Sequence, residues 1–212
     1  MYTGLSDKEF SDFSALAVEK SALPGHFERN APEVCSFTGH RPSKLPFPWD
    51  KSCYAYRRLR GLIREEIAKL AEKGVRYFQT GMARGIDLMC GEIVLELKER
   101  YDINLICVIP CLNQCMGWEK EDRGTYDRLL HEAMGVVQVT DRHYSKGCML
   151  KRDRYLVDTA QYLISVFDGK KGGTLFTIHY AMRKKRTVII LNPVDFSRTE
   201  LIHDNEEGVL YV

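Results

Sequence analysis

A doubly wound α/β domain, with a mainly parallel sheet of about six strands and helices on both faces, is predicted by three features of this sequence. Short apolar runs of strand length recur along it, amphipathic stretches of helical length separate most of them, and several strand-leaving turns carry glycine. Apolar runs without polar alternation read as strands buried on both faces, the condition of a parallel sheet covered by helices. With 44% hydrophobic and 28% charged residues over 212 positions, the chain has the balance of one globular domain with a sizeable core.

In chain order, residues 1–33 form a polar N-terminal extension. Within it Phe10, Phe13, Leu16 and Ala17 recur at helical spacing before Pro24-Gly25 interrupts them, which predicts one short helix. The domain proper is expected over residues 34–212, opening on a strand at 34–38. Leu59, Leu62, Ile63, Ile67 and Leu70 mark the first sheet-covering helix, and residues 75–80 the second strand. Ile86, Met89, Cys90, Ile93, Val94 and Leu97 give the second helix, and residues 103–109 the third strand. A third helix carries Tyr126, Leu129, Leu130, Ala133 and Met134, followed by a strand at 136–140. A fourth helix (149–160), a strand (162–167), a fifth helix (174–185) and a strand (187–191) complete the pattern. The resulting Rossmann-like domain binds ligands outside the carboxyl ends of its strands, where the strand order reverses.

Bulk properties exclude several classes. A net charge of +2 exerts no overall pull toward nucleic acid or an anionic membrane. No stretch approaches the roughly 20 apolar residues needed to span a bilayer, and no basic-then-apolar leader opens the chain. Seven scattered cysteines, an odd number, suit a reducing compartment, so a soluble cytoplasmic protein is expected. Cys107, Cys111 and Cys115 lack an iron–sulfur cluster spacing, and no zinc pattern occurs. Neither a metal nor a required cofactor is expected.

Chemistry is therefore sought in the turns after the strands. Thr38-Gly39-His40-Arg41-Pro42 leaves the first strand with a hydroxyl, a flexible glycine, a titratable imidazole and a planar cation suited to phosphate or carboxylate. As a pentapeptide it reads equally well as a turn with a solvated arginine. Gly81-Met82-Ala83-Arg84-Gly85 leaves the second strand and opens a helix whose free N–H groups favour anions. Asp87 in that helix can instead order ribose hydroxyls, as acidic residues do in dinucleotide sites, although the G-x-G-x-x-G fingerprint is absent. Glu92 lies about 140° around the helix from Asp87, so the two do not form a close carboxylate pair. Asp168-Gly169-Lys170-Lys171-Gly172-Gly173-Thr174 follows the fifth strand and offers exposed N–H donors, an N-cap hydroxyl at Thr174 and room for a phosphate.

Together, "TGHR", "GMARGID" and "GGT" at these strand ends resemble the SLOG superfamily, which groups YpsA-like proteins, the DNA-processing protein DprA and the LOG phosphoribohydrolases. The resemblance extends over residues 34–193 and is strongest to the YpsA-like branch, through residues 113–118 and the Lys151-Arg152-Asp153-Arg154-Tyr155 helix. It implies a Rossmann-like fold whose glycine turns bind a nucleotide or nucleotide-derived ligand in a sensing role. By that likeness Gly81, Arg84, Gly85 and Asp87 match the second turn, and Gly172, Gly173 and Thr174 the phosphate-gripping turn of the LOG branch. The LOG glutamate is replaced by Thr177, and no Pro-Gly-Gly precedes it. Trp118 can stack on a base or cap the core, and the resemblance puts it on the site rim; Arg152 is retained as a ligand contact on the same ground.

The leading expectation is binding of an NAD- or ADP-ribose-like molecule, with backbone near Gly39, Gly81, Gly85, Gly172 and Gly173 cradling phosphate, Arg41 and Arg84 supplying charge, and Asp87 ordering hydroxyls. The alternative is N-glycosidic hydrolysis of a nucleotide, with Asp87 or Glu92 as the catalytic candidate. The third is single-stranded DNA binding as in DprA, through Arg57, Arg60 and Arg64 or through Arg183-Lys184-Lys185-Arg186. Exposed helices of such domains commonly pair, so a homodimer is the expected assembly.

Overall fold

The computed structural model describes residues 31–140, 143–204 and 208–211. The helix expected within residues 1–33 lies outside these. In chain order the elements are β1 (Ala31–Gly39), a 3-10 turn (Pro42–Lys44), α1 (Tyr54–Glu72), β2 (Tyr77–Thr80), α2 (Ile86–Leu97), β3 (Asn104–Ile109) and α3 (Lys120–Glu132). They continue with β4 (Gly135–Gln138), α4 (Cys148–Thr159), β5 (Ala160–Val166), α5 (Gly173–Arg183), β6 (Thr187–Leu191), β7 (Arg198–Asp204) and β8 (Gly208–Tyr211).

The strands of the described residues lie in one eight-stranded sheet of order β4-β3-β2-β1-β5-β6-β7-β8. The first six run parallel, and β7 and β8 each pair antiparallel with the preceding strand. Adjacent residues of one strand serve opposite faces. Ile164 belongs to the core beneath α1, α2 and α3, while Leu163 packs with Val157 of α4 and Ile178 and Ala181 of α5. This two-sided burial explains why the strands read as continuous apolar runs. Phe37 of β1 and Phe78 of β2 are fully buried and stack with ring centroids 5.9 Å apart. Each contributes on the order of 1.5–3 kcal/mol through burial of its side chain.

The expected α/β architecture and its five sheet-covering helices are present. The sheet also carries β7 and β8, which the apolar pattern does not flag. In β7, Arg-Thr-Glu-Leu-Ile-His-Asp, Leu201 is the position buried against the core and most of its neighbours are polar. Such a strand is stabilised by pairing with β6 rather than by a hydrophobic run of its own.

Topology decides where a ligand site can form. From β1 the chain winds outward through β2, β3 and β4, then returns to place β5 on the other side of β1. The strand order therefore reverses between β1 and β5, whose ends are in register at Gly39 and Val166. The turns after β2, β1 and β5 leave three adjacent strands at the same carboxyl edge of the sheet.

Candidate functional site

These three turns enclose a cleft of about 250 Å³ at the switch point. Thr38, Gly39, His40, Arg41, Asp87, Arg152, Gly172, Gly173 and Thr174, nine of the residues singled out from the sequence, line it. The others fall elsewhere, for reasons that become visible turn by turn.

Gly39 is constrained by packing: a Cβ there would lie 2.6 Å from Cβ of Ile86, the first residue of α2. His40 is buried, and its Nε2 is 2.8 Å from Oδ1 of Asp168. Burial raises the Asp168 carboxyl, but hydrogen bonds from Lys170 and His40 outweigh it and hold the group down to about 2. An ionised Asp168 accepts from His40 Nε2–H and fixes the imidazole between the first and third turns. Arg41 and Lys44 are exposed at the cleft wall, and neither side chain has an ion-pair partner among the described residues. Lys44 reaches across to the third turn, where its Nζ would be 3.3 Å from a Cβ placed on Gly172.

The second turn is organised around Asp87 and Arg152. Asp87 Oδ2 accepts from the Ala83 N–H at 3.3 Å and lies 3.2 Å from Nη1 of Arg152. That same Nη1 donates to the Gly81 carbonyl, and Nε of Arg152 is 2.9 Å from Oδ1 of Asp153. A Cβ on Gly81 would overlap this guanidinium, so the residue admits Arg152 instead of holding a phosphate. Gln114, from the turn after β3, clamps the loop by donating to the Gly81 and Met82 carbonyls at 3.1 and 2.9 Å. Burial pushes the Asp87 carboxyl up to about 6 against the opposing pull of Arg152 and the Ala83 N–H. Asp153 is likewise raised by burial, with Arg152 opposing. The Arg152 helix is thus not a solvated face at this point: the residue is 6% exposed and its guanidinium bridges two carboxylates.

Arg84, expected to supply charge to the ligand, turns away. Its Nε donates to Asp122 of α3, and its Nη2 is 3.9 Å from Glu119. Arg84, Gly85 and Glu92 line a second cavity on the other side of the loop, where Glu92 pairs with Arg128 at 2.7 Å. Asp87 and Glu92 therefore serve separate cavities. Gly85 adopts φ +91°, and a Cβ on it would meet Pro42 Cδ at 2.7 Å and the His40 carbonyl at 2.9 Å. Trp118 lines neither cavity; it packs edge-to-face on Tyr126 with centroids 5.5 Å apart and joins the core. A flat ring beside a fully buried tyrosine is better accommodated there than on the rim.

The third turn runs into α5. Its N-cap is Gly172, not Thr174; Thr174 sits within the first turn and lines the cleft. Nothing lies within 4 Å of a Cβ built on Gly173, so there is open space beside the start of α5, whose first N–H groups have no acceptor within the helix. Thr177 is buried and donates to the Gly173 carbonyl at 3.0 Å, which leaves no carboxylate at that position. Phe37, Lys44, Ala83, Met149 and Asp153 complete the lining and were not among the residues selected from sequence as ligand contacts. Two of these carried a legible signal: Asp153, next to Arg152 in the helix that carries the resemblance, and Lys44, a cation two residues beyond the proline of the first turn.

The two basic sets considered for DNA are largely engaged by the protein itself. Arg60 and Arg64 converge on Glu96, the latter at 2.9 Å, and Arg57 donates to the Ser52 carbonyl. Lys184 is 3.3 Å from Asp158, while Arg186 is buried and donates to the Val157 carbonyl at 3.0 Å. All seven cysteines are free, and among the described residues no group of His, Cys, Asp or Glu is arranged to hold a metal. No helix among them is long and apolar enough to cross a membrane.

Comparison with known proteins adds the following. Residues 35–196 match the sequence model of the YspA SLOG family. A UPF0398 protein of Bacillus thuringiensis (strain Al Hakam) is 25% identical over 155 residues, covering 72% of this chain and 84% of that protein. A UPF0398 protein of Bacillus cereus (strain AH187) matches to the same extent. Among solved structures, DNA processing protein A from Helicobacter pylori, described by its single-stranded DNA binding mode, superposes with a TM-score of 0.53 at 18% identity. The match covers 75% of this chain and 65% of that one. The DprA of Streptococcus pneumoniae gives 0.52 at 18% identity, over 75% of this chain and half of its own length. At such identity these two structures speak for the fold alone.

Proposed function

The chain belongs to the YspA SLOG family, and from that premise we propose that it binds a nucleotide-derived small molecule, of the NAD or ADP-ribose kind, in a sensing or regulatory role. The observation that carries this reading is the convergence in one cleft of the open start of α5, the unpaired cations Arg41 and Lys44, and the buried acid Asp87. Phosphate is stabilised by N–H groups at a helix start and by guanidinium and ammonium donors. A carboxyl group poised near 6 can donate or accept, which suits a ribose diol. Arg152 acts here as the positioning residue for Asp87, because its Nη1 is engaged by the Gly81 carbonyl and Asp87 and its Nε lies in ion-pair contact with Asp153.

A thermal-shift panel of ADP-ribose, NAD, AMP, inorganic phosphate and short single-stranded DNA tests this. A ligand at 100 times its Kd stabilises by about 2.7 kcal/mol, a rise of about 5–10 °C for a domain of this size. ADP-ribose or NAD is expected to give that rise, and Arg41→Ala or Lys44→Ala to weaken binding by about three- to tenfold each. A rise with DNA alone, steeply reduced by salt, would instead favour the binding mode described for the Helicobacter protein.

One observation favours a second reading. Asp87 lines the cleft and, when ionised, would take a proton from water attacking the anomeric carbon while the C–N glycosidic bond breaks and the base departs with a proton from solvent. Chromatography of AMP incubated with the protein distinguishes the two: free adenine supports hydrolysis, whereas intact AMP leaves the binding role.

A further inference from the structure

The second cavity, of about 370 Å³, lies on the opposite side of the Gly81–Gly85 loop and differs in character from the cleft. Asp50, Glu92, Glu119, Glu121 and Asp122 line it. Three cations offset these five acids: Arg84 on Asp122, Arg128 on Glu92 at 2.7 Å, and Lys51 on Glu121 at 3.7 Å. That leaves a formal excess of two negative charges (five minus three). Trp49 and Tyr56 form an aromatic wall, edge-to-face with centroids 4.9 Å apart.

Tyr56 supplies the independent feature. It is 4% exposed, yet its hydroxyl has no hydrogen-bond partner among the described residues and opens on the cavity. The ring is buried while the hydroxyl oxygen stays open to the cavity, so solvent or a ligand there, and not the protein, completes its hydrogen bonding. Burial, and then the nearby Glu92, push this hydroxyl up to about 12, so it stays protonated and keeps an oxygen lone pair for a donor.

We propose that this cavity is a binding site for a small aliphatic diamine, with one ammonium donating to Tyr56 between the aromatic wall and the carboxylates. A dication matches the excess charge, its methylenes suit the apolar floor made by Leu88 and Met89, and an ammonium beside Trp49 gains from the ring face. The volume is at the small end of the range for ligand pockets, which fits a short chain.

Calorimetric titration of the full chain with butane-1,4-diamine tests this, with butane-1,4-diol and sodium chloride at matched ionic strength as controls. The diamine is expected to bind and the diol not. Tyr56→Phe keeps the ring in the core and is expected to weaken diamine binding about tenfold, the loss of one hydrogen bond to a charged group. Lys51→Ala, which removes a competing cation from the rim, is expected to tighten it about threefold. Gly173→Asp, in the other cleft, is expected to leave it unchanged. Heats no larger than those of sodium chloride would overturn the proposal. So would equal affinity in the wild type and Tyr56→Phe, or complete displacement by magnesium chloride at equal charge concentration.

Discussion

Replacing Arg152 by methionine is expected to cost about 3–5 kcal/mol of stability at pH 8, the range found when one member of a buried ion pair is removed. The guanidinium reaches Asp87 and Asp153 and also satisfies the Gly81 carbonyl. Methionine fills much of the same volume but leaves two desolvated carboxylates beside each other with no cation. The penalty should depend on pH in a definite direction. In the wild type Asp87 is raised from its ordinary 3.8 to about 6, so its favourable contribution is complete below about pH 4 and is lost as pH rises through 6. Without Arg152 the carboxyl moves higher still, and the cost of ionising it adds to the deficit. Urea denaturation at pH 5 and pH 8 should therefore show a markedly smaller penalty at the lower pH. A loss below 1 kcal/mol, or one that does not change with pH, would mean that Arg152 is a solvated residue of α4.

Gly85→Val is expected to cost about 2–5 kcal/mol and to lower the melting temperature by about 5–15 °C. Two effects add. The backbone sits at φ +91°, where a β-branched residue is strained, and the new Cβ meets Pro42 at 2.7 Å and the His40 carbonyl at 2.9 Å. Because those neighbours belong to the first turn, relief of the overlap must shift His40, Arg41 and Lys44 relative to α5. Ligand binding should fall with stability, even though Gly85 itself lines the other cavity. Differential scanning fluorimetry with and without ADP-ribose measures both. A variant with wild-type stability and an undiminished ligand shift would remove Gly85 from any structural role at the junction of the turns.

The fold was legible where burial shapes composition. Strands covered on both faces read as apolar runs, and helices over the sheet show their buried stripe, so the residues facing the core in α1 and α2 can be listed from the sequence. β7 escaped because pairing with β6 stabilises it while, among its described side chains, Leu201 is the one buried in the core. The cleft was legible to the same extent: glycine at a strand end marks where chains approach closely, and the turns after β1, β2 and β5 meet. Side-chain direction was not. Arg84 lies in a glycine turn next to the cleft, yet its partner Asp122 is on α3, and no local pattern connects them. Arg152 depends on Asp87 in the same way. Trp118 has its destination set by Tyr126, one helix further on. Long-range pairing decides these three orientations, and spacing along one element carries no record of it.

Gly173→Asp offers the most direct test of the nucleotide-binding account. Nothing lies within 4 Å of a Cβ at this position, and its backbone φ lies outside the left-handed region, so the side chain fits without strain. A carboxylate at a helix start is, if anything, slightly stabilising, by about 0.3–1 kcal/mol. Placed among the N–H groups of α5, it would oppose phosphate and leave the fold intact. Isothermal titration of ADP-ribose into the wild type and into Gly173→Asp is expected to show binding in the first and at least about thirtyfold weaker binding in the second, with melting temperatures no lower than wild type. Equal affinity in the two proteins would contradict a phosphate site at the start of α5, as would no detectable binding of ADP-ribose or NAD to the wild type.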